Sequence, residues 1–224
     1  NLSSGTVPVG RLDGTYNITT TIDVNKNNVS IRGNGNATIL KRMYNSSSTE
    51  GVITLTSVEG CRVENLQIDG NKATYTASYN YGIHLSSSSD NTITDNTCNN
   101  NNYGIRLFSS SNNNTVTGNT CNNNSYYGIY LSSSSNNTIT GNTCNNNSNG
   151  IFLSSSSSDN TVTGNTCNNN SNGIALSSSS SDTVTGNTCN NNYYGIFLYS
   201  SSNNNTITGN TCNNNSYYGI YLSS

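Results

Sequence analysis

Six cysteines recur in one tripeptide, Asn-Thr-Cys, at Cys98, Cys121, Cys144, Cys167, Cys189 and Cys212. If each sits one strand above the last, neighbours lie about 4.8 Å apart, inside the roughly 4.4–6.8 Å Cα range of a disulfide. Paired coil to coil, they would form up to about three cross-links, each stabilising by about 3 kcal/mol. Left reduced, they would serve as small hydrophobes in a core, and parallel side-chain vectors do not favour the disulfide torsion. Both states stay open. A metal site is not expected, since the chain has no Cys-x-x-Cys or Cys/His pairing, and no cofactor is implied. Cys61 is out of phase, with Ile68 at the ladder position instead, and reads as a lone thiol or an intermolecular link.

Acid–base chemistry on polysaccharides needs clustered carboxylates, often with a basic residue. One grouping qualifies: Asp69, Asp90, Asp95, Glu59 and Glu64 with Arg62, Lys72 and His84, of which Asp69 and Asp90 are the first candidates. After Arg106 the only charged residues are Asp159 and Asp182, in the corner before the second strand, one coil apart and without a basic neighbour. The sequence therefore points away from an enzyme, and no catalytic residue is assigned.

The elements that hold these residues follow from an internal repeat. A Gly-Ile pair recurs at Gly82, Gly104, Gly128, Gly150, Gly173, Gly195 and Gly219, at spacings of 22 to 24 residues. Helix is excluded by the Gly, Asn, Ser and Thr content and by the lack of a 3.6-residue period. Each unit carries three strand signals: Ile129 and Leu131, Ile139 between Thr138 and Thr140, and Cys144. Alternation puts Ile, Leu, Val and Cys on one side and Thr, Tyr and Ser on the other. The expected fold is an all-β, single-stranded right-handed parallel β-helix, a solenoid of three short strands per coil. Residues 1–81 read as irregular opening coils with a surface loop near 73–81, and residues 82–224 as regular coils ending without a cap.

Composition agrees. Of 224 residues, 30% are apolar and 8% charged, with a net charge of −2. That is too little apolar mass for a thick core, and too little charge for a typical disordered chain. Eight Lys and Arg, seven of them before residue 73, exclude a nucleic-acid face. No apolar run is long enough to span a membrane. A start without Met and a stop inside a repeat read as a mature or trimmed product.

Stacking turns repeated letters into columns. Asn96, Asn119, Asn142, Asn165, Asn187 and Asn210 are expected to form an amide ladder at one corner. Thr-x-Thr pairs such as Thr138/Thr140 form an outward array, which suits an exposed strand and also resembles ice-binding faces. Tyr130, Phe152, Phe197 and Tyr221 form an outward aromatic stripe, either a cross-strand packing device or an association surface for another fibre or for sugar rings. Asn-x-Ser/Thr acceptors occur at Asn1, Asn17, Asn28, Asn36, Asn113 and Asn136, among others.

The pattern Gly-Ile-x-Leu-x-x-Ser…Asn-Asn-Thr-Ile-Thr-Gly-Asn-Thr resembles the NosD-like parallel β-helix repeat of archaeal and bacterial surface proteins. The segment Tyr16 to Asn71, with its Gly33-Asn-Gly35 turn and Ile68-Asp-Gly-Asn71, is similar to the opening coils of pectin-lyase-like domains. Cysteine stands where that repeat usually has Ile or Val. The resemblance implies the fold across nearly the whole chain and leaves function open, since the fold hosts lyases, hydrolases, epimerases, adhesins and stalks. The expected role is an extracellular or cell-surface scaffold that self-associates, head to tail through its open strand edges or laterally. The alternatives are a polysaccharide-binding or polysaccharide-cleaving β-helix and an ice-binding protein.

Overall fold

The computed structural model describes residues 13–46 and 50–223; the acceptor Asn1 lies outside them. The described residues form strands and corners without a helix. The fold is a right-handed all-β parallel solenoid built on two sheets. A nine-stranded sheet runs from Ile22–Val24 to Tyr218–Leu222 and carries the Gly-Ile-x-Leu segments. A ten-stranded sheet starts at Gly14–Ile18, carries the Thr-x-Thr segments and ends at Thr206–Thr208.

Register converts the repeat into an interior. Ile83, Ile105, Ile129, Ile151, Ile174 and Ile196 stand in one column, each on the next coil's isoleucine. Val116, Ile139, Val162 and Val184 form a second wall, and Cys98 to Cys189 a third; all are fully buried. The third strand is weaker than expected. Among the described cysteine-bearing coils only Thr97–Asn99 forms a strand there, paired to Gln67–Asp69 of the opening coils, and later coils keep single bridges from Thr120 to Thr211. Corner asparagines on both sides of each cysteine leave too few extended residues for a longer ladder.

Two geometric demands explain the glycines. The corner after Thr-x-Thr is left-handed in successive coils, at Asp95 (φ 54), Gly118 (φ 65) and Gly141 (φ 62), a region glycine enters freely and Asn or Asp tolerates. The glycine of Gly-Ile answers to crowding instead. A Cβ on Gly150 would lie 2.5 Å from the Gly173 carbonyl oxygen and 2.8 Å from Cys167 Cβ.

The corners are filled by amides. Asn96 donates from Nδ2 to Asn119 Oδ1 at 3.1 Å, and the chain continues through Asn142, Asn165, Asn187 and Asn210 at 2.9–3.0 Å. Each interior member bonds in several directions. Asn142 Oδ1 accepts the Asn119 N–H at 2.9 Å, and its Nδ2 also donates to the Val116 carbonyl at 2.9 Å. Two further columns do similar work. Asn91, Asn114, Asn137 and Asn160 line the corner before Thr-x-Thr. Asn101, Asn124, Asn147 and Asn170 line the corner after the cysteines, each side-chain oxygen beyond the first accepting the previous coil's asparagine N–H.

Asp159 and Asp182 share a corner but not a position. Asp159 occupies a left-handed, exposed site (φ 59), while Asp182 takes an asparagine's place in the buried column. Asp182 accepts from Asn160 Nδ2 at 3.0 Å and from Ser179 Oγ at 2.6 Å. It has no amide to donate back, whereas Asn205 in the next coil donates to the Ser179 carbonyl at 2.9 Å. Burial pushes the Asp182 carboxyl above its usual range. The loop expected over 73–81 ends sooner: Tyr81 opens the strand Tyr81–Ser86 and is buried. Cys61 is buried in the core, its thiol against the Lys26 carbonyl.

Two substitutions test the amide columns. Asn142→Ala strands the Val116 carbonyl and the Asn119 N–H, and should cost roughly 2–6 kcal/mol by urea denaturation, at about 1–3 per buried orphan; a loss below about 1 kcal/mol contradicts the ladder's role. Asp182→Asn restores the donor and removes a buried charge, and should stabilise by about 1–2 kcal/mol at pH 7. Because the folded carboxyl binds its proton more tightly than the unfolded one, this gain should fade as the pH falls towards 4.

Candidate functional site

The outward side of the Gly-Ile-x-Leu sheet carries a wall of rings. Tyr130, Phe152, Ala175, Phe197 and Tyr221 occupy one column in register, so Ala175 interrupts the stripe. A parallel column beside it runs Tyr103, Tyr127, Asn149, Asn172, Tyr194 and Tyr218, so two asparagines divide its rings. Tyr127 stacks on Tyr130 (4.8 Å, 17°) and on Phe152 (5.3 Å, 13°). On the far side of Ala175, Tyr194 stacks on Phe197 (4.7 Å) and Phe197 on Tyr221 (5.4 Å). Tyr199 spans the gap, nearly parallel to Phe152 at 6.5 Å and to Phe197 at 4.6 Å. The inner rings are half-buried except Tyr218 in the last coil, which at 45% is as exposed as Tyr126, Tyr193 and Tyr217 at the margin (43%, 48% and 55%). The result is two patches of ring edges and phenol hydroxyls joined through Tyr199, and one hydroxyl, on Tyr130, shares a hydrogen bond with Ser154 Oγ at 3.0 Å.

One end of this wall is charged. Arg106 stands below Tyr130 in the column and His84 below Arg106. The Arg106 guanidinium lies over the rings of Phe108 (4.1 Å), Tyr81 (4.8 Å) and Tyr130 (5.9 Å). It donates from Nη1 to Tyr81 Oη at 3.0 Å. Arg42 donates to the Tyr81 carbonyl and lies over the Tyr44 ring at 4.7 Å. Burial pushes the Tyr81 phenol up to about 12. It also holds His84 down to about 3, helped by the Arg106 charge, so the imidazole is neutral at physiological pH. Repeat spacing does not reveal this cluster, because Arg42 comes from the irregular opening coils and reaches Tyr81 only through the fold.

The other expected groupings separate. Asp69 belongs to the Thr-x-Thr sheet and accepts from the Asn71 N–H and from Asn100 Nδ2. Asp90 and Asp95 occupy exposed left-handed corners on either side of Thr92–Thr94. Glu64 pairs with Arg62 at 3.1 Å and with Arg32 at 3.7 Å. His84 is on the opposite sheet, so the grouping read from sequence is not one site. Corners interleave these residues in the chain, and the solenoid sends them to different faces. The Thr-x-Thr strands stand in register, and Thr140 and Thr163 spend their hydroxyls on carbonyls of the next coil. Asn17, Asn28, Asn36, Asn113 and Asn136 are all exposed.

All seven cysteines are free thiols. Along the column the thiols stand one per coil, each beside the next. Burial, with the thiols of Cys121 and Cys167 alongside, pushes Cys144 well above the usual thiol range, so it is no ready nucleophile.

The neutral, buried His84 has a measurable consequence. The unfolded chain takes up this proton near 6.5 and the folded chain near 3. The contribution of His84 to stability is therefore complete above 6.5 and is lost as the pH falls through that window. Wild type should lose on the order of 3–5 kcal/mol more than His84→Gln between pH 7 and pH 3.5. NMR should show a flat imidazole shift from pH 8 to 5, and a titration midpoint near 6 would contradict the burial.

Two families match the sequence. The one described as periplasmic copper-binding protein (NosD) matches residues 12–166, and the right handed beta helix region matches residues 112–224. No curated protein matches. Several solved structures share the fold. The A-module of the Azotobacter vinelandii mannuronan C-5 epimerase AlgE6 aligns with a TM-score of 0.74 at 15% identity, over 94% of this chain and 69% of that one. A mutant of the periplasmic alginate epimerase AlgG aligns at 0.68 and 18%, over 93% of this chain and 59% of that one. The Streptococcus pneumoniae surface protein and adhesin PfbA aligns at 0.61 and 15%, over 88% and 67%. Identities this low carry the fold alone.

The family description names copper, and the donor set does not fit it. Among the described residues no group of three His, Cys, Asp or Glu is placed to hold a metal. His84 faces a guanidinium, and the thiols are strung out one per coil along the axis, so three of them do not converge on one point among the described residues. No described helix is long and apolar enough to cross a membrane. With the solenoid seen directly and residues 12–166 matched, the chain belongs to the NosD family of right-handed parallel β-helix proteins.

Proposed function

We propose that this chain is an extracytoplasmic scaffold that holds a polysaccharide along the aromatic wall of its Gly-Ile-x-Leu sheet. The observation that carries the reading is the wall itself: stacked tyrosines and phenylalanines that extend over successive coils on one face, bridged by Tyr199. Rings with one apolar side and one hydroxyl suit a ligand that is itself part apolar and part hydroxylated. Patches of this kind mark association surfaces. The periplasmic family description supports a place outside the cytoplasm. Mannuronan and alginate epimerases share this fold, which supports a polysaccharide ligand at the level of the fold alone.

The same geometry favours holding over turnover. General acid–base catalysis requires groups within reach of the substrate. Here His84 and Tyr81 are 2% and 1% exposed, beneath the surface. The wall beyond Arg106 has no carboxylate, since Asp159 lies at an exposed corner and Asp182 in a buried column.

A panel of neutral and acidic polysaccharides in affinity electrophoresis tests the reading. At least one should retard the protein. Tyr130→Ala and Phe152→Ala should each weaken binding about 5- to 20-fold, or about 1–2 kcal/mol. Thr138→Ala, on the other sheet, should bind within about twofold of wild type. No retardation by any polysaccharide, or full retention by both ring variants, would overturn the glycan-binding role. Release of shortened or unsaturated chains would overturn the non-catalytic part.

A further inference from the structure

The charged end of the wall holds more cation than the protein neutralises. Two guanidinium groups converge on Tyr81, Arg106 on its hydroxyl and Arg42 on its carbonyl. Arg106 is 8% exposed and Arg42 is sealed. Neither forms an ion pair among the described residues; the two pairs present join Arg32 and Arg62 to Glu64. Glu50 is near enough for Arg42 to feel its charge without an ion pair. Nε of both arginines and Nη1 of Arg42 have no hydrogen-bond partner.

A buried, unpaired charge costs several kcal/mol. Cation–π contacts with the rings offset part of this. Amide and hydroxyl groups can be satisfied by neutral partners, but a guanidinium with an open Nε edge is satisfied best by an anion. Its planar fork matches a carboxylate, which bridges two N–H groups at once. Arg106 already spends Nη1 on Tyr81, so the edge that remains is the one bearing Nε.

We infer that Arg106 makes the wall selective for acidic glycans, by taking a uronate carboxylate on its Nε edge while the sugars beyond lie along Tyr130 and Phe152. This rests on the glycan-binding reading and deepens it. Access requires movement of the half-buried Phe108 ring, which covers the guanidinium at 4.1 Å. No further Lys or Arg follows Arg106 in the chain. Charge is thus read at one end of the wall, and ring contacts act over the rest.

The test compares a uronic-acid oligosaccharide with its carboxyl-reduced, neutral counterpart of the same length, by isothermal titration of the full chain. Wild type should bind the acidic form about tenfold or more tightly than the neutral one, and added salt should shrink the difference. Arg106→Gln should bind both forms alike, the ratio of the two affinities falling from about tenfold to about one. Equal wild-type affinity for the two forms sinks the inference and leaves glycan binding standing. A preference that survives in folded Arg106→Gln also sinks it. Failure of wild type to bind either form sinks both. Should Arg106→Gln fail to fold, the wild-type comparison and its salt dependence still decide.

Discussion

A buried side-chain amide that bonds the coil above and the coil below is the interaction on which this molecule depends. A coil of about 23 residues contributes only four inward apolar side chains, too few to fix its backbone by burial alone. The asparagine columns supply what is missing. At Asn142 one side chain satisfies a backbone N–H, a backbone carbonyl and two neighbouring amides. None of these bonds exists within a single coil, so each coil is stable only as part of a stack, as in other quasi-one-dimensional repeats. The repeat length follows from the same requirement, since an amide must meet its partner one strand spacing away.

Once the corners and interior are fixed by amides and by the Ile, Leu, Val and Cys columns, the outward positions are released from structural duty. The two faces then diverge. The Thr-x-Thr sheet remains small, polar and regular. The Gly-Ile-x-Leu sheet gathers rings, with Arg106 and a neutral His84 at its N-terminal end and Arg42 reaching Tyr81 from the other sheet. The ring wall is laid out by the interior register, because Tyr130 meets Phe152 only if Ile129 sits on Ile151. Function on this surface is therefore tied to the stack without any residue of the stack touching a ligand.

Much of this was legible in the sequence because stacking makes a period visible. The inward columns, the Asn-Thr-Cys corner and the outward stripe all recur at the coil length, and each can be read from one coil and projected. Asn137 and Asn124 recur equally well, yet their columns were missed, because runs of consecutive asparagines hide which member turns inward. The third strand was overestimated for a related reason: alternation around Cys144 suggested an extended segment, and the flanking ladder residues shorten it to a single bridge. Least legible was the Arg42–Tyr81–Arg106 cluster. Arg42 belongs to a strand with two register shifts, at Arg32/Gly35 and Gly35/Ile39, so no repeat projects its position.

Native-state hydrogen exchange resolved by residue tests the amide-ladder claim most directly. If the ladders carry the stack, the backbone amides of Asn119, Asn142 and Asn165, each bonded to the next coil's side chain, should exchange only through global opening, as slowly as the amides of Leu131 and Leu153 in the sheet. Exchange of these corner amides as fast as that of the exposed Ser133 and Ser155 corners would show that the coils are held by the sheets alone, and the account would fail.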